Sequence, residues 1–354
     1  MLDVVAEDGR TLDRIVVTPD WKPAREWVHF EGVREGRLPP VTASVPAAIE
    51  PIWDARSGPP TVAAFRARIP AADGGEVSRE IPKHYLGRFV QAAVGRLVEE
   101  GVVRTGDTVR YVLSAFPVPL EAAAPAEPDE FAVEEIVQPL PLSDAPLDAL
   151  LAHAELRGAE SEERTDEIPV LLPEQVLEET MADARLAGDI ETGGVLVGKL
   201  RRDGGAPAGT VGRLFVEITA YLPAPHTRAN ATKLTFTAET WAAVQRAIAL
   251  RRREETAVGW AHVHLDFCRL RGCPAERRME CSGARPFFSA EDVHLHTTCF
   301  PSAYQVGLLI SESTAAGLTA SLFGWSRGMV TQRSFHVLRA QPEGALADVT
   351  HAGS

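Results

Sequence analysis

Two histidines stand one residue apart at the end of an apolar run, VGWAHVH over 258–264. Side chains on a strand alternate, so His262 and His264 share a face, and two imidazoles on one face can share one metal ion. Downstream, SAED over 289–292 opens a helical stretch. Ser289 is placed to cap that helix, and Asp292 offers a carboxylate as a third ligand beside two imidazoles. Such a set leaves one coordination position open for water. Upstream, IETGGVLVGKL over 190–200 starts a strand with Glu191 beside a glycine pair. A carboxylate held outside the ligand set is the residue type that moves protons in metal-assisted hydrolysis.

All four cysteines fall within 268–299, as Cys268, Cys273, Cys281 and Cys299. A secreted disulfide scaffold would spread them along the chain, whereas clustering favours metal binding or plain thiols. The C-x4-C-x7-C spacing with Cys299 makes a candidate structural zinc site, in a loop with few large apolar residues.

The order Glu, then H-x-H, then S-x-x-D resembles the JAMM (MPN-plus) zinc metalloprotease family, over 172–338. The similarity is closest to the AMSH type of deubiquitinase, in the segment around Glu191 and in FFSAEDVHLH over 287–296. The resemblance implies an α+β fold for 171–342, a cytidine-deaminase-like mixed sheet flanked by helices. It implies that His262, His264 and Asp292 hold a catalytic zinc, that Glu191 is general base and then acid, and that Ser289 donates a hydrogen bond to the oxyanion. It also suggests a second, structural zinc near the site, with His294 or His296 as an alternative fourth ligand to Cys299. The implied activity is hydrolysis of the (iso)peptide bond after the C-terminal tail of a ubiquitin-like protein. The implied partners are that protein or its conjugates, with conjugation-pathway enzymes of a bacterial setting. Processing of a sulfur-carrier protein and a non-catalytic MPN scaffold are the alternatives. The sequence departs from the family pattern twice: Leu265 stands where Pro is usual, and a longer gap, 265–288, separates H-x-H from S-x-x-D.

These residues need elements to position them. The pattern predicts helices over 173–187 and 237–253, and strands over 190–200, 212–222, 233–236, 256–262, 304–311, 318–325 and 329–337. Ahead of them, residues 1–118 read as a separate small α+β domain, with strands over 12–18, 61–69 and 109–116 and a helix over 85–100. Trp21, Trp27, His29 and His84 there read as packing or surface residues. Residues 119–170 read as an acidic Pro/Ala/Glu-rich linker holding one short helix over 146–156, and 343–354 as a flexible tail.

The net charge is −13, and from 121 to 189 there are 19 acidic residues against three basic ones. That balance excludes a nucleic-acid footprint. No apolar run reaches the roughly 18 residues of a membrane span, and the first residues lack a signal-peptide pattern, so the reading is a cytoplasmic protein with no membrane partner.

Overall fold

The computed structural model describes residues 1–42, 47–54, 60–104, 106–115, 138–158, 167–186, 190–204, 212–224, 228–230, 233–266, 268, 272–274, 276, 285–313 and 317–339. The protein is a mixed α+β chain. It divides into two compact units, Met1–Pro139 with Arg327–Met329, and Leu140–Ser326 with Val330–Ser354.

In the first unit, β1 (Leu2–Ala6) lies between β2 (Thr11–Ile15) and β7 (Val109–Leu113). Helix α2 (Gly87–Glu99) covers this sheet, burying Ala93 and Leu97 with Leu2, Val4 and Leu113. A second antiparallel sheet runs β4 (Ala48–Asp54), β5 (Thr61–Pro70), β6 (Glu76–Pro82), and α1 (Lys22–Arg34) packs on β5 and β6. A short pair, β3 (Val41–Thr42) with β8 (Gln138–Pro139), completes the unit's described strands. Helix α1 is not legible from spacing, because its buried positions include His29 and Glu31 among the apolar ones.

The second unit begins inside the segment that reads as a linker. Leu142–Ala145 form β9, pairing parallel with β12 (Gly193–Asp203), and Ala154–Arg157 form β10, pairing with β20 (Phe335–Leu338); α3 (Leu147–Leu151) lies between them. The helix expected over 146–156 is therefore one short helix followed by an edge strand. Residues 119–137 and 159–166 of the expected linker, and the expected tail 343–354, lie outside the described residues. Composition misled here: Leu147 is fully buried with Leu171 and Phe215, which polar and proline-rich neighbours conceal.

The main sheet then takes β11 (Val170–Pro173), α4 (Glu174–Leu186), β12 (Gly193–Asp203), β13 (Leu214–Pro223), β14 (Arg228–Asn230), β15 (Lys233–Thr235), α5 (Ala238–Arg251), β16 (Thr256–His264), α6 (Ala290–Cys299), β17 (Val306–Ser313), β18 (Gly317–Ser326), β19 (Met329–Arg333) and β20 (Phe335–Leu338) in chain order, β14 and β15 pairing apart. Its strands run β10-β20-β11-β13-β12-β16-β17-β18-β19. Strand β16 is interior, antiparallel to β12 and parallel to β17. Buried on both sides, it needs the near-continuous apolar run that the sequence supplies. Along β12, Val195 and Val197 join Trp260 of β16 in one cluster with Trp241 and Val244 of α5 and Leu295 and Cys299 of α6. Period two then puts His262 and His264 on the face that Trp260 presents to α6.

Candidate metal centre

The three candidate ligands converge. His262 Nε2 lies 3.1 Å from His264 Nε2 and 3.2 Å from Asp292 Oδ1, and His264 Nε2 lies 3.0 Å from Asp292 Oδ2. All three residues are buried, and among the described residues they are the group of His, Cys, Asp and Glu side chains placed to hold a metal. Two imidazoles come from adjacent same-face positions on β16. The carboxylate comes from the first turn of α6, held by a capping box: Ser289 N–H donates to Asp292 Oδ2 at 2.7 Å, and Asp292 N–H donates to Ser289 Oγ at 3.1 Å. The cap that starts the helix thus also fixes the rotamer of the third ligand.

Hydrogen bonds alone account poorly for this triangle. Each ring N–H points in one direction, yet each Nε2 faces two partners at once. A tetrahedral ion with ligands at about 2.0–2.1 Å sets its donor atoms about 3.3 Å apart, close to all three separations. Protonation states agree. Burial pushes His262 down, leaving a neutral imidazole. Burial works the other way on Asp292, but positive charge at His262 and the hydrogen bonds from both imidazoles overcome it and hold the carboxyl below the ordinary carboxylate range; with the imidazoles neutral, a bound cation would supply that positive charge. Neutral imidazole and ionised carboxylate are the forms that bind metal. The residues therefore fit a divalent ion; its identity is not set by these distances.

Glu191 is 3% exposed and sits two residues before β12 begins. The backbone carries it to the ligands: Val263 N–H, between the two histidines, donates to Thr192 O at 3.0 Å. Gly193 is paired with His262 across the strands. Gly194 is required, since a Cβ there would come 2.2 Å from Leu222 O and 2.6 Å from the Tyr221 ring. That space lets Tyr221 OH donate to Asp183 Oδ2 at 2.6 Å, and Thr192 Oγ1 lies 3.4 Å from the same oxygen. Burial first, then the charges of Asp292 and Glu291, push the Glu191 carboxyl up to about 8. Ser289 is half-buried, and because its Oγ accepts in the cap, the cap itself does not use the hydroxyl hydrogen.

Aromatic rings wall the ligands. Trp260 stacks on His262 with centroids 4.3 Å apart and planes at 11°. Phe288 meets His262 edge-on at 5.3 Å and stacks on Phe323, and Phe287 lies 5.4 Å from His264. Gly307 leaves room for Phe288 and Trp260, whose atoms would lie 2.6 and 3.0 Å from a Cβ there.

The other predicted site residues are not gathered in this way. Cys268 is buried, Cys273 partly so, and a turn bond joins Cys273 N–H to Cys268 O. Cys299 packs in the aromatic core with Trp260 and Phe300, and burial raises its thiol. His294 is exposed on α6. His296 is fully buried and accepts a hydrogen bond from Trp260. Among the described residues these side chains form no second metal-holding group; Cys281 lies outside the described residues, as does most of 265–288. Sequence reasoning missed Trp260, Tyr221 and Asp183. The only sign of Trp260 was its two-residue spacing from His262.

No family model matches the chain, and no curated protein matches it. Solved structures do match. One is the solution structure of protein DSY2949 from Desulfitobacterium hafniense, 19% identical, covering 49% of this chain and 94% of that chain at a TM-score of 0.30. A likeness of that size carries no argument about function. No described helix is long and apolar enough to cross a membrane.

Proposed function

We propose that this chain is a zinc-dependent isopeptidase of JAMM type, hydrolysing the bond after the C-terminal tail of a ubiquitin-like protein. The observation that carries the reading is the closed triangle of His262, His264 and Asp292 with a buried glutamate, Glu191, beside it, unanswered by a cation among the described residues. Zinc held by those three residues would supply a Lewis acid and would acidify a water bound to it. Asp292 is oriented for that task by the Ser289 amide, and His262 by the rings around it. Glu191 takes a proton from the attacking water at its carboxylate oxygen and returns it to the leaving amine nitrogen. Burial raises this carboxyl and a bound cation would draw it back down, which suits a group that must both accept and release a proton. Ser289 Oγ–H donates to the carbonyl oxygen as negative charge grows there. Phe287, Phe288 and Trp260 keep water from the ligands' other sides.

The test is cleavage of a linear fusion behind a ubiquitin-like Gly-ending tail by the zinc-loaded chain and by Glu191→Gln. Cleavage by the wild type alone supports the reading. A wild type that binds zinc but cleaves no tail of this class points to the scaffold alternative.

A further inference from the structure

A histidine that ligates through Nε2 is ordinarily oriented by a hydrogen bond from Nδ1 to a carboxylate or carbonyl. His262 departs from that arrangement: its Nδ1 is buried with no hydrogen-bond partner among the described residues. What fixes its plane is packing, chiefly the Trp260 ring at 4.3 Å and 11°. The Trp260 ring is fixed in turn. Its Nε1–H donates to His296 Nδ1 at 3.0 Å, and Trp260 and His296 are both fully buried. His296 lies one helical turn beyond Asp292, so α6 presents the third ligand and this acceptor on one face. Trp260, His262 and His264 form the matching face of β16.

His296 also carries a cost that calls for a reason. Accepting from the indole puts its proton on Nε2, and that nitrogen has no partner among the described residues. It is surrounded by Phe300 and Trp325 at 6.1 and 5.2 Å. An apolar pair, an aliphatic residue here with Phe in place of Trp260, would fill this space without leaving a buried N–H unpaired.

We infer that His296 is a positioning residue for the metal centre: through its hydrogen bond to Trp260 it sets the plane of the His262 imidazole, the task an Nδ1 acceptor ordinarily performs. The inference rests on the reading of the triangle as a metal centre. It is tested with Zn²⁺ alone as probe, by chelator competition on the full chain, with melting curves alongside. His296→Leu weakens Zn²⁺ binding by about tenfold or more, the range for residues that orient ligands. His296→Gln, whose side-chain carbonyl can accept the indole N–H, recovers most of that loss. Trp260→Phe loses affinity as His296→Leu does, and the double variant W260F/H296L loses no more than either single change. The double variant also melts close to the wild type, because both polar partners are removed together. A merely structural role would couple lost affinity to lost stability.

The inference is overturned if His296→Leu binds Zn²⁺ like the wild type, if Gln is no better than Leu, or if the two single losses multiply in the double variant. Should the Leu variant fail to fold, Trp260→Phe and His296→Gln carry the comparison, and a Trp260→Phe chain with undiminished affinity overturns it. These outcomes concern a wild type that binds Zn²⁺. A wild type that binds none overturns this inference and the proposed function together.

Discussion

The two ends of strand β16 handle buried carboxylates in opposite ways. At its start, Glu255 is 8% exposed and answered by cations and donors: Arg251 reaches it at 2.5 and 2.9 Å, and Thr219 Oγ1 donates at 2.6 Å. The Arg251 hydrogen bond, chiefly, holds the Glu255 carboxyl below its ordinary value despite burial. At its far end stand His262 and His264, with Glu191 and Asp292 gathered round them and no arginine or lysine bonded to either carboxylate among the described residues. Glu191 is pushed up to about 8 instead. One end is closed in charge and needs nothing more. The other holds surplus negative charge and lone pairs aimed at one point, the condition that a divalent cation relieves. Burial alone does not mark a site: His29 of the first unit is buried and pushed down by desolvation too, with no carboxylate hydrogen-bonded to it among the described residues.

The sharpest way to break this contrast is at the ligands. His262→Ala or Asp292→Asn removes one of three donors, and zinc affinity falls by more than about a hundredfold, as equilibrium dialysis will read. Next comes Glu191→Gln, which keeps the metal and lowers cleavage by about 10²–10⁴-fold. The same substitution has a second signature in the metal-free chain. Glu191 titrates at about 8 when folded against an ordinary 4.5, so the folded chain keeps a proton that the unfolded chain releases. Its contribution is therefore most favourable below about 4.5 and declines as pH rises toward 8, by at most about 1.4 kcal/mol per pH unit. Denaturant titrations of wild type and Glu191→Gln across that window should diverge, with the Gln variant the flatter. Bound cation opposes the shift, so zinc reduces the divergence.

Ser289→Ala is expected to lose about 1 kcal/mol with the helix cap and roughly a hundredfold in cleavage with the hydroxyl donor, as melting curves and single-turnover rates will show. At the closed end, Glu255→Gln should cost about 1–3 kcal/mol by breaking the Arg251 pairing while zinc affinity stays put. The sign there is the reverse of that for Glu191: with its folded value lowered, Glu255 stabilises above its ordinary range, and that stability is lost on acidification. A Glu255 variant that loses zinc would erase the contrast between the two ends.

The site was legible where chemistry and periodicity coincide. An apolar run ending in H-x-H reads as a buried strand with both imidazoles on one face, and β16 is that strand. Ser289 and Asp292 read as a helix start, and the capping box is there. Glu191 came only from the order of motifs, since nothing local says that a carboxylate outside a strand is buried. The His296–Trp260 bond joins α6 to β16 across 36 residues, and no spacing announces it. In the fold, β9 and β10 were hidden because an acidic, proline-rich stretch reads as solvated chain until the sheet edges it pairs with are known. Helix α1 was hidden by Glu31, buried beside Arg34, whose ion pair removes the apolar signature of an inward-facing position.

The proposed chemistry needs one ion at one point. Crystals grown with zinc and measured at its absorption edge test this directly. The expected result is an anomalous peak about 2.0–2.2 Å from His262 Nε2, His264 Nε2 and an Asp292 carboxylate oxygen. Well-ordered ligands with no peak between them, or zinc found only at the cysteines of the 265–288 loop, would contradict it.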